Sequence, residues 1–101
     1  MIYKIVVPKV GEDIEEIRVL EWHGEPGHRF DVGELIVELE THKALVEVRS
    51  HQAGWLRAIL ANVGTWVRLE TPIALISDAV GETLPDDPAQ AAIFALDFSV
   101  D

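Results

Sequence analysis

Cysteine is absent and methionine occurs once, at the first position. The first absence excludes disulfides, zinc–thiolate centres and cysteine nucleophiles, so any thiol chemistry must arrive on a cofactor. Positive charge is scarce: 8 Lys and Arg face 18 Asp and Glu, a formal net charge of −10. Phosphate backbones and anionic lipid surfaces repel such a chain, which argues against nucleic-acid and membrane partners. No apolar run approaches the roughly 20 residues that cross a bilayer. The opening Met1 to Val7 lacks the basic segment, longer apolar core and cleavage site of a signal peptide. These features are compatible with the cytoplasm. At 101 residues, the chain is long enough for one modest core.

What is present is a series of short apolar runs with a period near two. Ile2 to Val7, Ile17 to Trp22, Leu35 to Leu39, Ala44 to Val48, Trp55 to Leu60 and Ile73 to Ile76 are predicted strands. Turns fall at Gly24-Glu25-Pro26-Gly27, at Gly33, between Ser50 and Gly54, and at Gly64. No helical period is visible before residue 86, so the pattern predicts an all-β sandwich or barrel. Glu40-Thr41-His42-Lys43-Ala44 then forms a tight hairpin with Lys43 at its tip and the amine in water. Taken alone, Lys43 is one more surface lysine.

A shift of 37 positions brings Gly27 onto Gly64, Phe30 onto Val67, Val32 onto Leu69, Ile36 onto Ile73 and Leu39 onto Ile76. Upstream, Val19 falls on Leu56 and Trp22 on Ile59. Two similar half-sheets, neither able to bury its apolar face alone, are expected to close one core about a pseudo-two-fold axis. The shift places Val80 at the equivalent of Lys43, so one half alone carries a lysine tip.

Gly33 stands ten residues before Lys43 and Gly54 eleven after it. Together with Gly27, Gly64, the opening Val7-Pro8-Lys9-Val10-Gly11-Glu12 and the tip itself, the pattern over residues 2 to 78 resembles the biotinyl/lipoyl attachment domain. Within that family it resembles the lipoyl domain of the acyltransferase component of 2-oxo acid (or acetoin) dehydrogenase complexes. The resemblance implies a flattened barrel or sandwich of two similar four-stranded sheets with pseudo-two-fold symmetry. It implies lipoic acid joined covalently to Lys43 as a swinging arm that takes up an acyl group and two electrons. It assigns recognition to Glu40, Thr41, His42 and Ala44, and to the loop after the first strand, here Gly11, Glu12, Asp13, Glu15 and Glu16. Those acidic groups suit basic residues on a partner, or form a solvated loop. The implied partners are a lipoate ligase or lipoyl transferase and the dehydrogenase, acyltransferase and dihydrolipoamide dehydrogenase components of the complex. The domain is expected to be a substrate of these enzymes, with no catalytic residue of its own, and it occurs within dihydrolipoamide acyltransferases. The expected location is the cytoplasm, or the mitochondrial matrix in a eukaryote, although no transit peptide is seen.

The neighbours of the lysine separate the two branches of the family. Biotinyl domains typically place methionine on both sides, whereas here the flanks are His42 and Ala44. Lipoyl domains typically read Glu-Thr-Asp-Lys-Ala, so this chain matches at Glu40, Thr41, Lys43 and Ala44 and departs at His42. The departure removes a negative charge beside the target amine and weakens or retunes recognition by the attaching enzyme. A biotinyl carrier of a carboxylase, and an unmodified binding or assembly module, stand as the alternatives. Ile17, His28, Thr65 and the stretch Arg49-Ser50-His51-Gln52 also depart from the family pattern, and bear more on recognition than on fold.

His23, His28, His42 and His51 match no common metal-ligand spacing, so no metal site is expected. Trp22, Trp55 and Trp66 are expected in the core or half-buried, and Glu38 and Glu47 on a solvated face. Leu45, on the opposite strand face from Ala44 and Val46, is expected to be a small exposed apolar contact near the arm or to have no role. The division expected is residues 1–78 as the lipoyl/biotinyl-type domain and 79–101 as an acidic linker with a short apolar tail. In that tail, Asp87-Pro88 ahead of Ala89 to Leu96 predicts a capped, short helix. Its apolar residues are expected to pack on the sheet, or to dock on a partner or a second copy. Whether the chain is free-standing or a fragment is left open by the sequence.

Overall fold

Each period-two run folds as a strand because alternate side chains share one face and only one face can be buried. In the computed structural model, which describes residues 1–9 and 13–100, these are β1 (Ile2–Ile5), β2 (Glu16–Trp22), β4 (Leu35–Glu40), β5 (Leu45–Ser50), β6 (Gly54–Ile59) and β8 (Ala74–Ser77). Two short strands that the sequence reading leaves as turn approaches, β3 (Arg29–Phe30) and β7 (Trp66–Arg68), complete the set. β5 shows the alternation plainly: Val46, Val48 and Ser50 are buried, while Leu45, Glu47 and Arg49 are not.

The strands form two sheets, ordered β3-β6-β8-β1 and β5-β4-β2-β7 before the tail is added. The two orders correspond, β3 to β7, β6 to β2, β8 to β4 and β1 to β5, as the expected pseudo-symmetry requires. Hydrogen bonds repeat at the same 37-residue shift. Gly27 N donates to Leu56 O at 2.7 Å, and Gly64 N to Val19 O at 2.8 Å. Leu56 N donates to His28 O at 2.8 Å, and Val19 N to Thr65 O at 3.1 Å. The bulge between Val19 and Glu21 against β4 recurs between Leu56 and Ala58 against β8. Between the sheets lie Ile5, Ile17, Val19, Phe30, Ile36, Leu39, Leu56, Ile73 and Ile76, all fully buried.

The tail adds a fifth strand to each sheet. β9 (Ala92–Ile93) pairs parallel with β1, and β10 (Leu96–Val100) pairs antiparallel with β5. The predicted helix is replaced by a single 3-10 turn, Pro88–Gln90. Its cap is as expected, with Asp87 accepting from Ala89 N at 3.0 Å. Beyond it, however, Phe94, Leu96, Phe98 and Val100 alternate with Ala95, Asp97 and Ser99, and that period of two matches a strand rather than a helix. Phe94 is buried between the tail and the sheet, edge-on to Tyr3 with ring centroids 5.6 Å apart.

Candidate functional site

The turn between β4 and β5 is built by Thr41. Its backbone N donates to Ala44 O at 2.8 Å, closing the hairpin. Its hydroxyl oxygen accepts from Lys43 N at 3.1 Å and Ala44 N at 3.0 Å, and the hydroxyl lies 3.3 Å from Ala44 O. A short side chain that bonds the backbone two and three residues on is the standard way for threonine to fix a tight turn. Thr41 is buried while His42 and Lys43 are exposed, so the turn is anchored from below and its tip stands in solvent. The Lys4 amine, by contrast, is held by Ala89 O at 2.8 Å; among the described residues no such partner holds the Lys43 amine.

A row of side chains runs across the outer face of the sheet directly beneath the tip. Register places Leu45 opposite Glu40, Glu40 opposite Arg18, and Arg18 opposite Trp66. Arg18 Nη1 pairs with Glu40 Oε1 at 2.9 Å, and Arg18 Nε reaches Gly64 O at 3.4 Å. Leu45 is 48% exposed and Trp66 41%. The His42 ring lies over the Trp66 ring, centroids 4.9 Å apart and planes 19° from parallel. The loop before β2 enters at this same end, because β2 begins beside the end of β4. Asp13, Glu15 and Glu16 are exposed there, and Glu16 stands opposite Arg68 in the β2–β7 register. Gly11 and Glu12 lie outside the described residues.

Residues 3–76 match the model of the Biotin_lipoyl family, described as "Biotin-requiring enzyme". The chain belongs to the biotin/lipoyl family. A relative from Staphylococcus saprophyticus, the dihydrolipoyllysine-residue succinyltransferase component of a 2-oxoglutarate dehydrogenase complex, is 40% identical over 87 residues, covering 86% of this chain and 20% of its own. The Bacillus subtilis protein of the same description is 33% identical over 87 residues, covering 86% and 21%. That of Escherichia coli K12 is 38% identical over 63 residues, covering 62% and 16%. The chain thus spans about a fifth of the length of the curated relatives it matches first.

In this biotin/lipoyl domain the tip residues Glu40, Thr41, His42, Lys43 and Ala44 are brought together with Asp13, Glu15 and Glu16 at one end. Sequence reasoning missed Arg18 and misplaced Trp66. Val67 faces the core, so its neighbour Trp66 must face out; the alternation within β7 was the available signal. Trp22 and Trp55 are half-buried as expected, and the Trp22 indole donates to Ala61 O at 2.9 Å. The four histidines have separate partners. His23 Nε2 lies 2.7 Å from Glu38 Oε1 and 3.8 Å from Glu21 Oε2, His28 packs edge-on to Phe30, and His51 Nδ1 lies 2.9 Å from Asp97. Among the described residues, Glu21, His23 and Glu38 are the one set whose ligand atoms all lie within 4.8 Å of one another. Glu38 and Glu47 lie opposite each other on β4 and β5. Among the described residues, no helix is long and apolar enough to cross a membrane.

The equivalent of the lysine tip in the other sheet is where β8 and β1 meet. Asp78 N donates to Met1 O at 3.2 Å, as Thr41 N does to Ala44 O. The Met1 ammonium donates to Asp78 Oδ1 at 2.6 Å and to Glu82 Oε1 at 2.7 Å. These carboxylates raise the amine above its usual range, and the ammonium in turn lowers Asp78.

Proposed function

We propose that this chain is a lipoyl carrier, modified on Lys43 and serving a 2-oxo acid dehydrogenase complex in the cytoplasm. The observation that carries the reading is the Thr41-locked turn, which holds Lys43 outermost with its amine unpaired among the described residues. The relatives' names, each a dihydrolipoyllysine-residue succinyltransferase component, support lipoate rather than biotin, as do the missing flanking methionines.

The residues present fit such an attachment. The Lys43 ammonium would give up one proton to become a free amine; Nζ would then bond to the carbonyl carbon of an activated lipoate, lose a second proton and displace the activating group, leaving an amide without charge. When bound, lipoic acid supplies the acyl- and electron-carrying chemistry. The chain's own work is positional: Thr41 fixes the turn, the paired sheets hold it rigid, and the tether raises the arm's effective concentration at each partner site. The proposed partners are a lipoate-attaching enzyme and the dehydrogenase, acyltransferase and dihydrolipoamide dehydrogenase components. The chain is their substrate, standing alone or as part of an acyltransferase.

Intact mass of the protein from its native host, with peptide mapping, tests this. A lipoyl increment on Lys43, absent from Lys4 and Lys9 and lost in Lys43→Arg, is expected. A biotin increment would assign the chain to carboxylases. An unmodified Lys43 in cells whose other lipoyl domains are loaded would overturn the carrier reading in favour of a binding module.

A further inference from the structure

An enzyme that acylates Lys43 must bring a carbonyl carbon within bonding distance of Nζ, so its surface covers the turn and the row beneath it. That row of four side chains crosses three strand spacings, about 14 Å. Its chemistry differs from the rest of an acidic chain. The Glu40 carboxylate is neutralised by Arg18 at 2.9 Å, and Leu45 and Trp66 expose apolar surface on either side of that pair. At position 42, beside the amine, stands a ring laid flat on the Trp66 indole rather than a carboxylate. Stacking fixes the rotamers of both rings, so the enzyme meets one preformed aromatic plate in place of two mobile side chains.

We propose that His42 and Trp66 act as a single specificity element, read by the enzyme that attaches the arm to Lys43 through an apolar or aromatic contact rather than through a basic group seeking a carboxylate. This rests on the lipoyl reading above. A partly exposed tryptophan stacked on the residue that precedes Lys43 has the character of a binding hot spot, with much area to bury and little entropy to lose. Because the two rings hold each other, removing either removes the plate, and their effects must be non-additive.

The test follows the rate of mass increment on Lys43 with a purified lipoate-attaching enzyme, for the intact chain and for Trp66→Thr, Trp66→Phe, His42→Asp and the double variant His42→Asp/Trp66→Thr. Nuclear magnetic resonance of the His42 ring protons and a thermal midpoint accompany each. Trp66→Thr and His42→Asp are each expected to lower kcat/KM about tenfold, and the double variant no further than the worse single. Trp66→Phe, which keeps a ring for His42, is expected to stay near the parent. The His42 protons are expected to be ring-current shifted in the parent and to lose that shift in Trp66→Thr. Singles within about twofold of the parent, a double equal to the product of the singles, or an unshifted His42 would each overturn the proposal. If the parent is not acylated although its His42 shift is present, the lipoyl reading itself falls, and this inference with it.

Discussion

Thr41 shows how much one side chain decides here. It makes the closing backbone bond and its hydroxyl receives two further N–H groups within four residues. Thr41→Ala is expected to cost about 1–2 kcal/mol in urea unfolding, and Thr41→Ser to recover most of it. The internal repeat supplies a second residue-scale prediction. Gly33 (φ 89°) and Glu70 (φ 69°) occupy equivalent positions, and each backbone N–H donates to a distant carbonyl, Gly33 N to Ser50 O of β5 and Glu70 N to Val7 O just beyond β1. A left-handed backbone penalises any side chain with a Cβ. Gly33→Ala should therefore destabilise by about 1 kcal/mol and Glu70→Gly should stabilise by up to about 1 kcal/mol, read as opposite shifts of the urea midpoint. At this scale the sequence disclosed the lysine, the glycines and the turn chemistry, because those follow from residue type and spacing. It did not disclose the Arg18–Glu40 pair or the His42–Trp66 stack. Each joins residues more than 20 positions apart, and their meeting depends on which strands lie side by side.

Among the elements, the tail departs most from expectation. Asp87-Pro88 is a sound helix-opening signal and does cap a turn, yet the alternation from Phe94 to Val100 prevails because each alternate side chain finds the sheet beside it. A local signal of one turn is worth little against buried apolar area. Phe94 is the test: fully enclosed, its replacement by alanine should lower stability by about 3 kcal/mol or more in chemical unfolding. Deleting residues 86–101 should lower the thermal midpoint at least as far, since both sheet edges then lose a strand. Six of the eight strands of residues 2–77 were legible as period-two runs. The short β3 and β7 were not, because two or three residues carry no readable period.

For the molecule as a whole, the pseudo-two-fold axis relates two ends closed in different ways. One is closed by a covalent turn; the other is closed by the Met1 ammonium, Asp78 and Glu82. The lowered Asp78 carboxyl contributes stability above its unfolded pKa of about 3.9, and loses it as pH falls through the folded value. The raised Met1 ammonium contributes below its unfolded pKa of about 8, and loses it as pH rises through the folded value. Both groups are exposed, so the plateau between those limits is shallow. Thermal midpoints of the parent and Asp78→Asn should differ between about pH 4 and 8 and converge at both extremes. The matching bonds at the two ends, Thr41 N to Ala44 O and Asp78 N to Met1 O, have a topological meaning as well. The eight strands trace a ring that is open at one point only. A short bridge from Asp78 to Met1, with a new opening at the exposed Val63 turn and the tail given up, would be a circular permutation that keeps every strand beside its present neighbours. The order in which the strands are written along the chain is thus separable from the architecture that lifts Lys43 into solvent.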